Sequence, residues 1–250
     1  MRALLISDIH ANLQALEAVL EAAPAHDEVW NLGDVVGYGA NPNEVVERVR
    51  QLGGTIVRGN HDRACSGLDS LDDFSESAAE AARWTQTVLS ESNRLWLWQL
   101  PAGPVLPGAA EVSCVHGSPL DEDEYLFAPW DARPSLEASH TRLAFFGHTH
   151  RQGGFATNGD DDFRLVPLYT FASGAEACEL PLRRGARCLL NPGSVGQPRD
   201  GDPRAAFAVF DDAHCLLTWH RVSYDIGEAQ RRIRRAGLPD FLADRLESGT

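Results

Sequence analysis

The sequence contains no lysine. All 22 basic residues are arginine, which excludes a lysine nucleophile and Schiff-base chemistry. No apolar stretch approaches the roughly 20 residues needed to span a bilayer, so a soluble protein without a membrane partner is expected. The five cysteines, Cys65, Cys114, Cys178, Cys188 and Cys215, are odd in number, widely spaced and form no Cys-x-x-Cys pair; they read as reduced thiols in a cytoplasmic protein. Positive charge is scarce, with 36 acidic residues giving a net charge of −14. That balance disfavours a nucleic acid polymer, whose binding needs many cationic contacts to phosphate. Small anionic substrates remain open, because bound cations reverse the local sign of charge. The sequence also has no internal repeat, heptad seam or low-complexity linker. At 250 residues and 43% apolar content, it is expected to form one domain over 1–250 with ample core.

Short apolar runs, each followed by a polar turn, are what the chain does have. Ala3 to Ile6 leads into Asp8-Ile9-His10, Val29 to Leu32 into Gly33-Asp34, and Thr55 to Val57 into Gly59-Asn60-His61-Asp62. Glu111 to Val115 ends in His116, Leu143 to Phe146 in Gly147-His148-Thr149-His150, and Cys188 to Leu190 in Asn191-Pro192-Gly193-Ser194. Six strand-then-turn units put their polar residues at carboxyl ends, where open α/β sheets bind ligands. Asn12 suits the cap of a helix with Leu13, Leu16 and Leu20 on one face, and a second helix is expected from about Asn43 to Leu52, stopped by Gly53-Gly54. A helical, tryptophan-bearing insert is expected near 64–100, with Trp84, Trp96 and Trp98. A strand pair, Ala205 to Phe210 and Cys215 to Val222, precedes an arginine-rich helix near Glu228 to Ala236. Between Phe155 and Arg187 the pattern yields only one tight turn, at Asn158-Gly159-Asp160.

Asp8, His10, Asp34, Asn60, His116, His148 and His150 are oxygen and imidazole donors without a thiolate. That set suits Mn²⁺, Fe or Zn²⁺ in an open catalytic site rather than a closed structural zinc. Taken singly, a His or Asp after a strand is a capping or core hydrogen-bonder. Five of the nine histidines falling into one spaced pattern with two aspartates and an asparagine is not explained that way. Hydrolysis of a phosphate ester needs a nucleophile at neutral pH and neutralisation of phosphoryl charge, and two cations about 3.5–4 Å apart supply both through a metal-bridging hydroxide. In that arrangement Asp34 bridges, Asp8, His10 and His150 complete one shell, and Asn60, His116 and His148 the other. His61 is left to protonate the leaving alkoxide, with Asp62 orienting its ring. The amides of Gly59 and Asn60 and the side chain of Asn12 are further candidates for phosphate contact.

These blocks, in this order, resemble the calcineurin-like metallophosphoesterase family: Asp-x-His, Gly-Asp, Gly-Asn-His-Asp, a lone His and Gly-His-x-His. The resemblance covers roughly residues 1 to 200 and implies an α/β fold, a two-sheet β-sandwich flanked by helices, with the dinuclear ligand roles above. Gly33-Asp34-Val35-Val36-Gly37-Tyr38-Gly39, His116-Gly117-Ser118-Pro119 and Asn191 to Arg199 look like the compact bacterial phosphodiesterase branch. That likeness implies diester cleavage, often with Mn²⁺, on a small phosphodiester or nucleotide, possible cyclic nucleotides included, and makes a homodimer plausible. A phosphomonoesterase or protein phosphatase, a dinucleoside polyphosphate hydrolase, and a non-catalytic metal-binding scaffold are the alternatives. A Ser or Cys hydrolase built on Cys114 or Ser118 near His116 lacks a Gly-x-Ser-x-Gly elbow, and no Gly-x-x-x-x-Gly-Lys phosphate loop is present. Tyr38 is balanced between lining the pocket and packing in its turn. Arg199 and Arg204 are expected on a hairpin surface, and Asp121 to Glu124, Asp160 to Asp162 and the arginines at 231, 232, 234 and 235 are expected to be solvated.

Overall fold

The computed structural model describes residues 1–108, 111–171, 173–183 and 185–250. The chain opens with β1 (Arg2–Ile6), α1 (Leu13–Ala22), β2 (Glu28–Asn31), α2 (Pro42–Leu52) and β3 (Thr55–Ile56). Helices α3 (Asn60–Ser66), α4 (Glu76–Val88) and α5 (Glu91–Trp98) follow, then β4 (Val112–Cys114), α6 (Pro129–Ala138) and β5 (Leu143–Phe145). The remainder is β6 (Gly153–Thr157), β7 (Asp162–Leu165), β8 (Glu176–Pro181), β9 (Arg187–Asn191), β10 (Ala205–Asp211), β11 (Leu216–Val222), α7 (Ile226–Arg235) and α8 (Asp240–Ser248).

Two mixed sheets form, in the orders β3-β2-β1-β10-β11-β8 and β4-β5-β9-β6-β7. Within the first, β1 runs parallel to β2 and β2 to β3; within the second, β4, β5 and β9 are parallel. Period-two alternation decides what each sheet buries. Ala3 and Leu5 of β1 join Trp30, Phe145, Phe210 and Trp219 between the sheets. Leu4 and Ile6 belong to the opposite face, covered by Leu16 and Val19 of α1 and Val45 and Val49 of α2. Burying each large apolar side chain contributes on the order of 1.5–3 kcal/mol. The second sheet has its own outer layer, with Ala132 and Leu136 of α6 against Phe146, Phe155 and Leu189. Helices thus flank a sandwich, as the motif order implies.

The six expected strands at the site are present, with β4 and β5 one or two residues shorter than the apolar runs. The stretch between Phe155 and Arg187 holds more than the expected turn: β6 and β7 pair through Asn158-Gly159-Asp160, and β8 joins the first sheet beside β11. In the insert, Trp96 packs against the helix-covered core and Trp84 against α7 and α8, while Trp98 is exposed. Among the described residues no helix is long and apolar enough to cross a membrane.

Candidate metal centre

The motifs lie at the carboxyl ends of parallel strands, in loops except for Asn60, His61 and Asp62, which open α3, and the loops hold one another through main-chain hydrogen bonds. Asp8 N donates to Gly33 O (3.0 Å), Gly147 N to His116 O (2.8 Å) and Gly196 N to Asp8 O (3.0 Å). Asp8, His10, Asp34, His148 and His150 all adopt positive φ, between 48° and 63°. This region is sparsely populated by residues other than glycine and tolerated best by Asn, Asp and His. Each such residue costs of order 1–3 kcal/mol, which the surrounding fold must offset. Gly59 allows a close approach that no other residue would: a Cβ there would collide with Asp34 Oδ1.

The imidazoles are fixed from outside. His10 Nδ1 donates to Val36 O (3.0 Å), His116 Nδ1 to Leu32 O (2.7 Å), His150 Nδ1 to Gln197 O (2.6 Å) and His148 Nε2 to Asp123 O (3.1 Å). A carbonyl only accepts, so each of these nitrogens carries a ring proton, and in the neutral rings of His10, His148 and His150 the other nitrogen is a bare lone pair. These second nitrogens face one another: His10 Nε2 is 3.0 Å from His150 Nε2, and His116 Nε2 is 3.1 Å from His148 Nδ1. The two lone pairs of His10 and His150 repel at that distance unless a cation lies between them, so the donors present fit a metal. Imidazoles that donate their far N–H to a fixed acceptor are the usual state of metal-bound histidine.

Carboxylates complete two groups. The donor atoms of Asp8, His10, Asp34 and His150 lie within 4.8 Å of one another, as do those of Asp34, His116 and His148. Asp34 belongs to both: Oδ2 lies 3.5 Å from His10 Nε2 and 3.4 Å from His116 Nε2, while Oδ1 accepts from His61 N (2.9 Å). Asp8 Oδ2 and Asn60 Oδ1 are buried acceptors without a hydrogen-bond partner, the condition expected of oxygens reserved for a cation.

Burial opposes charge throughout the cluster. It pushes Asp8 up to about 7, with His116 opposing and Asp34 reinforcing the rise. Burial would also lower His116, but the Asp34 carboxylate and then Asp8 carry it up to about 10. Asp34 resists its own burial and stays well below the carboxylate range, held by His116 and His61. Burial first of all pushes His10 and His150 well down and His148 down to about 3, so these three rings are neutral donors.

His61 stands beside the cluster, with its ring centre 4.9 Å from that of His10, 4.4 Å from Tyr38 and 4.8 Å from Phe74. Its Nδ1 is buried without a partner, and burial, against the pull of Asp34, brings the ring down to about 4. Asp62 does not orient it. Asp62 Oδ1 accepts from Val35 N (2.9 Å) and Val36 N (3.2 Å), and Oδ2 from Gly59 N (3.0 Å). The carboxylate therefore ties the Asp34 turn to the start of α3. Gly59 N is thereby engaged, and the Asn12 amide donates to Gly196 O (2.9 Å) while its oxygen caps α1, leaving neither free for phosphate.

Three sequence expectations change at the rim. Tyr38 lies at the site, its ring centre 4.7 Å from that of His10, and the Arg199 guanidinium lies 5.4 Å over it. Arg204 is buried and paired with Asp202 (2.6 Å) and Glu176 (3.3 Å). The acidic run at 121–124 is clamped, with Glu122 paired to Arg58 (2.8 Å) and Arg63 (2.7 Å), and Asp123 to Arg63 (2.7 Å). This loop supplies the carbonyl that holds His148 and carries Tyr125, whose ring stacks on His148 at 3.8 Å. Nothing in the local sequence marks Tyr125; only the position of the loop between His116 and the clamp brings it there.

Comparison with known proteins agrees with this geometry. A family model described as the calcineurin-like phosphoesterase superfamily domain matches residues 1–213. The chain is 36% identical over 253 residues to an uncharacterised protein of Methanocaldococcus jannaschii, covering 98% of this chain and 96% of that one. It is 28% identical over 224 residues to phosphodiesterase YfcE of Escherichia coli, covering 85% of this chain and 88% of the relative. The crystal structure of a metallophosphoesterase from Sphaerobacter thermophilus aligns with a TM-score of 0.84 at 41% identity, covering 100% of this chain and 99% of the other.

Proposed function

The chain belongs to the calcineurin-like phosphoesterase superfamily and is a phosphoric ester hydrolase, and from that premise we propose that it is a phosphodiesterase for small diesters, cyclic nucleotides among them. On this reading one divalent ion is held by Asp8, His10, Asp34 and His150, and a second by Asp34, Asn60, His116 and His148. The observation that carries it is the two facing imidazole pairs, His10 with His150 and His116 with His148, that share the Asp34 carboxylate. Oxygen and imidazole donors without thiolate suit Mn²⁺, with Fe or Zn²⁺ as close competitors. The ions, when bound, supply an acidified water and neutralise charge on the phosphoryl group.

The remaining work falls to the chain's own groups. Asp34 is the shared donor, and the His61 amide on its Oδ1 holds it in one orientation. His61 is neutral at neutral pH, and an arriving phosphate anion raises its proton affinity, so it gains a proton where a leaving alkoxide needs one. Similarity along most of the chain to a named phosphodiesterase favours diesters over monoesters. The same reading takes residues 1–250 as one unit acting in the cytoplasm, which suits five free cysteines.

The test is to strip the protein of metal, reload it with Mn²⁺, and compare bis-p-nitrophenyl phosphate with p-nitrophenyl phosphate. Faster diester turnover is expected. Faster monoester turnover would move the assignment to a phosphatase, and no turnover of either would favour a metal-binding scaffold.

A further inference from the structure

Between the clamped acidic run and α6 the chain forms neither helix nor strand, yet its burial alternates as a strand's does. Leu126 enters the outer core with Ala132 and Leu136 of α6, and its two neighbours turn outward. Tyr125 is 46% exposed and Phe127 43%, which leaves two large apolar rings open to water at the rim of the metal-ligand cluster. Their ring centres are 5.5 Å apart and their planes 9° from parallel, an offset stack in which neither ring covers the whole face of the other. Tyr125 stacks in turn on His148, with ring centres 3.8 Å apart and planes 28° apart. The Arg151 guanidinium lies 5.1 Å from the centre of Phe127. His148 and Arg151 both belong to the loop between β5 and β6, so one loop braces both rings.

The backbone beneath the pair is fixed at both ends. Arg58 and Arg63 hold Glu122 and Asp123 on one side. On the other, the Asp131 carboxylate accepts from Phe127 N (3.0 Å) and Ala128 N (2.9 Å). A flat surface held in place this way needs little ordering when a ligand settles on it. A planar partner covers a ring face over its whole area, where a sugar or a short alkyl group covers only a fraction. Every nucleobase offers such a π-face, and proteins hold unpaired bases on aromatic rings and on guanidinium planes; both kinds of group are present here. His148 sets the position. A phosphate at the metal-ligand cluster has its non-reacting substituent within reach of the ring stacked on that histidine. The net charge of −14 favours a small nucleotide over a nucleic acid strand.

We propose that Tyr125 and Phe127, with Arg151 beside them, form a stacking platform for the nucleobase of the substrate. The substrate class is then a phosphodiester with a nucleoside on its non-reacting side, in preference to glycerol or sugar diesters. This rests on the phosphodiesterase reading above, and the two fail separately in the following experiment. Calorimetric titration of the Mn²⁺-loaded protein with 2′-deoxyadenosine 5′-monophosphate and with 2-deoxyribose 5-phosphate compares one phosphorylated sugar with and without its base. The nucleotide is expected to bind about tenfold tighter, in the lower part of the range for stacking one base. In F127A and in Y125L the ratio falls toward one, while F127W, which keeps a flat ring, retains it. Both ligands are titrated into the same sample, so a variant that is partly unfolded still reports the ratio. Equal affinities in the unmodified protein, or a ratio that survives both F127A and Y125L, overturns the platform. Bis-p-nitrophenyl phosphate turnover measured alongside separates the two readings. Turnover without a base preference removes the platform alone; a base preference without turnover removes the phosphodiesterase reading and supports the platform.

Discussion

Asp34 and His61 touch through the backbone yet have different work, and substitution separates them. Asp34→Asn keeps the shape but removes the charge that both donor groups share, so elemental analysis is expected to find both metals weakened together. His61→Ala leaves every proposed donor in place; bound metal is expected to stay while kcat falls by about 10²–10⁴, the usual contribution of a proton-transfer group. Equal metal loss in the two variants would refute that division. Asp62→Ala belongs to a third kind. Three main-chain amides lose their acceptor, and hydrogen bonds to a charged group contribute about 1.5–3 kcal/mol each. A lowered melting temperature is expected, with metal affinity falling because the Asp34 turn is freed. The donor set was legible in the sequence because His and Asp at strand ends have a recognisable spacing. The job of Asp62 was not, since adjacency to His61 suggests a partner, and only the path of the Asp34 turn shows that its oxygens face backbone amides.

Elements at the site were legible where an apolar run ended in a turn with special chemistry, as in β1, β2, β5 and β9. They were missed where the signal is mixed. α6 begins at Pro129 and contains Pro134, and proline inside a helix argues against one. β8 alternates half-buried and exposed residues along an edge of its sheet, so it offers no apolar run. The loop between β4 and α6 is the most consequential omission, because its acidic run reads as solvent-facing while Arg58 and Arg63 hold it in place. Its function is to fix the Asp123 carbonyl against His148 Nε2. Glu122→Gln removes the charge in that clamp without touching a proposed ligand. Partners one step beyond the ligands typically carry 10–100-fold in metal affinity, so titration with Mn²⁺ is expected to become biphasic, one ion binding about tenfold more weakly and the other unchanged. Uniform weakening of both ions, or none, would show that the clamp does not act through His148.

On the scale of the whole molecule, the centre joins the two sheets. Its donors come from the ends of β1 and β2 in one sheet and of β4 and β5 in the other, and the sheets meet there through Val195 N to Ser7 O (3.0 Å) and His148 N to Asp8 Oδ1 (3.1 Å). Five donors at positive φ and the facing lone pairs of His10 and His150 make the same junction a concentration of unfavourable local terms. Bound cations reverse the second of these and add binding free energy to the folded state alone. At a free metal concentration of 100 times Kd, that linkage amounts to about 2.7 kcal/mol. For a chain of 150–250 residues each kcal/mol moves the melting temperature by about 2–4 °C, so chelation is expected to lower it by about 5–11 °C. Because the donors straddle the sandwich, loss of metal should loosen both sheets at their carboxyl ends. Hydrogen exchange of the chelated protein is expected to show lost protection in the loops at Asp8, Asp34, His116 and His148 while the Trp30, Phe145 and Phe210 region between the sheets stays protected. Protection lost on one sheet only would mean that the ions brace a single sheet, and the bridging role of Asp34 would fall with it.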